Sequence, residues 1–141
     1  MALTQTATNA FKTGLMNGTY DFNTDTFKIA LYTGAATLDE TTAAYTSTNE
    51  VVASGYSAGG EVLTVSITPT TGNSGNIAYI SFDNVTWTSA LTARGALIYK
   101  YNGTTNPSVC VLDFGSDKTS TTTFEVQFPP ANNTNAIIRI A

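Results

Sequence analysis

The hydrophobic period of this chain changes once, and that change limits its possible folds more than any other feature. Up to Asn17-Gly18 the apolar residues fall four apart: Leu3, Ala7, Phe11 and Leu15, with Ala10 and Gly14 beside them. That spacing predicts a helix, and Asn17-Gly18 supplies a left-handed stop. The stripe either docks on its own domain or lies against a neighbouring subunit. From Thr26 onward the period is two. Phe27, Ile29 and Leu31 alternate with Lys28, Ala30 and Tyr32, and Leu63, Val65 and Ile67 repeat the pattern until Pro69 and Thr71-Gly72-Asn73. Both read as half-buried strands. Ala78, Ile80 and Phe82 form another, with a short continuation over residues 85–87.

Residues 94–101 are more evenly apolar, as expected of a central strand buried on both faces. Asn102-Gly103 marks a tight turn leading to a strand over 109–114. After Gly115 a polar turn over 116–120 precedes Phe124, Val126 and Phe128; Pro129-Pro130 ends that strand, and 137–140 supplies the last. Residues 34–57 have few large side chains and predict a long loop with one or two short edge strands. About seven strands after one helix predict a mainly all-β protein, an antiparallel β-sandwich or jelly-roll-like barrel with one N-terminal helix. No linker or repeat divides the chain. Residues 1–141 are expected to form a single domain, with 1–18 a helical arm and 26–141 the sandwich.

Composition narrows the chemistry. The 141 residues contain no histidine and one cysteine, Cys110, so histidine-based catalysis and histidine-ligated zinc are unavailable within one chain. A disulfide framework is excluded as well, although one intermolecular bond is not. Cys110 lies among Val109, Val111 and Leu112 and reads as an inert core thiol. The net charge is −4, and the six cations (Lys12, Lys28, Arg94, Lys100, Lys118 and Arg139) are scattered, so neither a basic stripe nor a nucleic-acid partner is expected. No apolar run is long enough for a membrane span, and the N-terminus lacks the pattern of a secretory signal. A reducing cytoplasm is the expected site of folding. Four sequons, at Asn17, Asn84, Asn102 and Asn132, read as products of abundant Asn and Thr.

Three motifs resemble chemistry. Gly55-Tyr56-Ser57-Ala58-Gly59 spells a nucleophile elbow, but no histidine can take the serine proton, and a strand rather than a helix is expected to follow. Asp21-Phe22-Asn23-Thr24-Asp25 opens like a calcium loop, yet Thr26 stands where glycine is needed and Tyr32 where a glutamate is needed. It reads as a solvated turn. Asp113, between Leu112 and Phe114, would have its pKa raised by burial or lowered by Arg94 or Lys118; no second carboxylate can be assigned across a cleft from it. Arg94 and Arg139 read as structural or interfacial. Trp87 and the seven tyrosines offer aromatic surface for a carbohydrate or protein, or a core. No catalytic, cofactor or metal residue is assigned, and no enzymatic activity is expected.

Five phrases form a recognisable set: Phe27-Lys28-Ile29-Ala30-Leu31-Tyr32-Thr33, Gly55-Tyr56-Ser57-Ala58-Gly59-Gly60, Ala93-Arg94-Gly95-Ala96-Leu97-Ile98-Tyr99, Val111-Leu112-Asp113-Phe114-Gly115-Ser116-Asp117 and Asn135-Ala136-Ile137-Ile138-Arg139-Ile140. Together they resemble a family of small virion structural proteins of tailed bacteriophages. The resemblance implies a capsid decoration (cement) protein seated over seams between major capsid protein subunits, often trimeric, needing no cofactor, and located in a virion assembled in the host cytoplasm. A tail, baseplate or fibre component and a carbohydrate-binding adhesin are the alternatives. Under the first reading Leu3, Ala7, Phe11 and Leu15, with the 34–57 loop, are the expected contacts with other chains.

Overall fold

A computed structural model describes residues 2–71 and 76–140. The chain is mainly β, with one short helix and antiparallel sheets. In order the elements are β1 (Thr6–Ala7), α1 (Asn9–Asn17), β2 (Phe27–Tyr32), β3 (Glu61–Leu63), β4 (Val65–Thr71), β5 (Ala78–Phe82), β6 (Val85–Trp87), β7 (Thr92–Lys100), β8 (Ser108–Thr119), β9 (Phe124–Val126) and β10 (Ile138–Ile140). A five-stranded sheet has the order β1-β8-β7-β2-β3, a three-stranded sheet the order β10-β5-β4, and β6 pairs with β9.

The five-stranded sheet is buried on both faces. Phe27, Ile29 and Leu31 of β2, Ala96 and Ile98 of β7, and Cys110 and Leu112 of β8 share a core with Ile80, Phe82, Trp87 and Phe124 of the smaller sheets. Alternation sends Ala30, Tyr32, Leu97, Tyr99 and Val111 to the opposite face, where Ala36 and Leu38 cover them with Leu3 and Tyr45 alongside. β2 is therefore not half-buried as its alternation predicts. The 34–57 segment acts as a strap over that outer face. Among the described residues it contains no extended strand, only single bridges at Leu38, Ala44 and Glu50.

The helix is shorter than the apolar stripe predicts, and residues 1–18 are not a helical arm. Thr6 and Ala7 pair with Val111 and Cys110 as a strand. Thr8 then caps the helix, its hydroxyl accepting from the Phe11 N–H at 3.2 Å. Thr8 is held in turn by a buried hydroxyl cluster: the Ser108 hydroxyl lies 2.8 Å from the Thr8 hydroxyl and 2.6 Å from the Thr42 carbonyl. The helix ends as its Asn-Gly pair predicts, with Gly18 at φ 79° and its N–H donating to the Gly14 carbonyl.

Two other differences concern strands. The run from Leu63 to Ile67 is not one strand, because the chain leaves the large sheet at Thr64. β3 pairs with β2, whereas β4 pairs with β5. β4 also continues through Pro69, which an edge strand tolerates because one row of its N–H groups has no partner. Thr71 ends β4, while Gly72 and Asn73 of the predicted turn lie outside the described residues. The polar residues 116–119 belong to β8 rather than to a turn. Asp113 pairs with Gly95 and Lys118 with Ala93, so the chain between them makes an excursion and then rejoins the ladder. Gly115, at φ 84°, permits that excursion.

Candidate functional site

The four residues expected at a subunit contact occupy different environments. Leu3 bridges to Leu38 and packs at the outer face of the large sheet. Ala7 lies in β1, partly buried against the main core. Phe11 is only 4 % exposed and packs edge-on to Tyr20 with ring centroids 5.1 Å apart, inside the chain's own core. Leu15 alone of the four presents substantial surface, at 39 %. It borders two apolar hollows that share Phe11, Leu15, Ile138 and Ile140. One, of about 310 Å³, lies between β1, β8 and β10. The other, of about 230 Å³, lies between α1, the segment 20–22 and β5.

The motifs that resemble chemistry have structural partners. Gly55 to Gly59 makes turns that lead into β3, and Ser57 is exposed. In the 21–25 turn the Asn23 N–H donates to Asp21 Oδ1 at 2.9 Å, and the Asp21 N–H donates to Asp25 Oδ2 at 2.8 Å. Lys100 Nζ sits 3.1 Å from the same Asp25 oxygen and donates to the Thr19 carbonyl. Among the described residues no three His, Cys, Asp or Glu side chains gather as metal ligands. Asp113 accepts from the Gly115 N–H at 2.9 Å and from Arg94 Nε at 3.2 Å. The Gly115 N–H, then the guanidinium, hold its carboxyl below the usual carboxylate range. Trp87 is 2 % exposed, so the single tryptophan belongs to the core and not to a ligand-binding surface. Cys110 is buried, and burial pushes its thiol up to about 12.

The most concentrated polar chemistry surrounds Glu50, which the sequence did not single out. The residue is 6 % exposed and lies near the end of the strap. Tyr45 donates to Oε1 at 2.6 Å, while Tyr56 and the Gly59 N–H donate to Oε2 at 2.7 and 2.8 Å. Tyr56 accepts from the Leu31 N–H on β2 at 2.8 Å, and Tyr99 on β7 donates to the Gly59 carbonyl at 2.7 Å. Each link ties strap to sheet. Burial, and then the neighbouring Glu50 carboxylate, push the Tyr45 and Tyr56 phenols far above their ordinary range. Burial likewise lifts Tyr99 to about 12. The phenols therefore stay protonated as donors, and the carboxylate accepts three hydrogen bonds. The only sequence signal was a lone carboxylate before Val51-Val52 with tyrosines on either side; its donors lie close in sequence, but the links onward to Leu31 and Tyr99 come from distant strands. No family model matches the chain, nor does any curated protein or solved structure.

Proposed function

We propose that this chain is a non-enzymatic structural protein of a tailed-bacteriophage virion, acting as a capsid decoration protein over seams between major capsid protein subunits. The observation that carries the reading is where the phage-like phrases fall. Three of them contain or overlap β2, β7 and β8, adjacent strands of the large sheet, and a fourth contains β10. The likeness therefore lies in the scaffold, which suits a family defined by shape rather than by a reaction. The polar groups support the same reading, because Glu50, Asp25 and Asp113 are engaged in holding loops and strands. A coat component of many copies benefits from a sheet covered on both faces and from low charge, which limits the desolvation cost of burying its surface.

The test is to mix the purified protein with empty capsid shells and sediment them. Saturable co-sedimentation, with a higher melting temperature of the shells, is expected. Shells that bind none at saturating protein overturn the proposal. Labelling of intact virions then distinguishes the head from the tail.

A further inference from the structure

Leu15 of α1 and Ile140 of β10 stand 39 % and 50 % exposed and line the same two hollows. They form an apolar ridge with the two hollows flanking it. The hollows differ in charge. Lys12 and Arg139 line the larger one, and Asp21 lines the smaller. All three residues are exposed, and neither ion pair among the described residues involves them. Met16, at 84 % exposure, stands one turn beyond Lys12 on the helix and adds a flexible apolar side chain at the border.

The geometry points to a second copy of this chain as the occupant of the face, related by a two-fold axis running along the ridge. Such an axis carries the cationic flank of one copy over the anionic flank of the other and sets ridge against ridge. An axis across the ridge would oppose like charges. A partner of a single charge sign would satisfy only one flank, whereas a second copy satisfies both. The result has an apolar centre and a charged rim, the usual anatomy of a specific interface. Antiparallel pairing of β10 with its copy centred on Arg139 would set two guanidinium groups together, which disfavours that edge-to-edge register. The contact rests on this surface alone and does not depend on a virion role.

Analytical ultracentrifugation of the purified chain tests it. A dimer is expected, weakened by added salt because the rim charges are screened. Leu15→Glu should leave a folded monomer. Asp21→Asn retains the oxygen that accepts from Asn23 and should weaken association about tenfold, as should Lys12→Glu. Glu125→Gln, remote from the ridge on β9, should change nothing. If Leu15→Glu lowers the melting temperature, Lys12→Glu at its exposed site carries the test. A monomer at millimolar protein, a trimer, or a dimer indifferent to Leu15→Glu and Lys12→Glu overturns the inference.

Discussion

Glu50 shows how much one side chain can organise. Two of its three donors, Tyr45 and Tyr56, come from the strap and the third, Gly59, from the turn after it; Tyr56 and Gly59 continue to β2 and β7. Glu50→Gln can turn its amide nitrogen toward Tyr45, whose hydroxyl can rotate to accept. That change is expected to cost about 1–2 kcal/mol, the difference between charge-assisted and neutral bonds. Glu50→Ala strands two phenols and a backbone N–H and should cost about 3–5 kcal/mol. Urea titration checks the order, and a smaller loss for Ala than for Gln would refute this account. Trp87 presents the reverse case, because its buried indole N–H has no acceptor among the described residues. In Trp87→Phe the lost packing is partly offset by removing that unpaired donor, so chemical denaturation should give a loss of only about 1–2 kcal/mol, well short of a typical large-to-small core change.

The sequons also find their explanation among single residues. In Asn17, Asn102 and Asn132 the side-chain oxygen accepts the N–H of the threonine two positions on. Asn84 instead accepts from the Phe128 N–H. The Asn-x-Thr spacing is thus, at three of four positions, the spacing of an Asx turn. Asn102 accepts from three successive backbone N–H groups, so Asn102→Ala should lower stability by about 1–2 kcal/mol, whereas Asn102→Asp should be nearly neutral. Thermal melts of the two variants distinguish them.

At the scale of elements, what the sequence revealed depended on range. The even apolar run of β7 was legible because that strand's own pattern records its burial, whereas the alternation in Phe27–Tyr32 marked a strand and not the burial of its second face. The helix start was not legible, since Leu3 and Ala7 keep helical spacing while pairing with distant residues. The sheet switch at Thr64 was equally hidden, because Leu63 and Val65 alternate as though continuous. Burial of the outer face by the strap was missed for the same reason: Ala36 and Leu38 carry no period. Gly60, between the strap and β3, lies against the backbone of β2. It sits at φ 78°, and a Cβ there would overlap the Ile29 carbonyl. Gly60→Ala is expected to cost at least about 2 kcal/mol and to speed amide exchange in the strap. Unchanged exchange there would refute tight seating. Of the proposed contact site the sequence marked Leu15, and Arg139 as structural or interfacial, but not Ile140 beside Leu15, because that neighbour comes from the other end of the chain.

For the molecule as a whole, the ionisable groups set a pH profile. Tyr20, Tyr99 and Cys110 are each raised to about 12 by burial. A raised pKa stabilises the fold below the ordinary value and loses that contribution as pH climbs toward the folded value. Stability should therefore fall from about pH 9–10 upward. Asp39 and Asp113 are lowered, so their contribution is present at neutral pH and lost as pH falls through the carboxylate range. With no histidine, the melting temperature should be flat between about pH 5 and 8. A step within that window would contradict the profile.

The sheet order has a consequence for the chain while it is being made. β1 lies beside β8, and Thr8 meets Ser108 across a separation of 100 residues. On the ribosome the first strand has no neighbour until most of the polypeptide has emerged, and β2 has only the strap and β3 beside it until β7 follows. The large sheet is then completed late, and until β7 and β8 have emerged the nascent chain relies on chaperones, or on the solubility of its threonine-rich segments, to stay unaggregated.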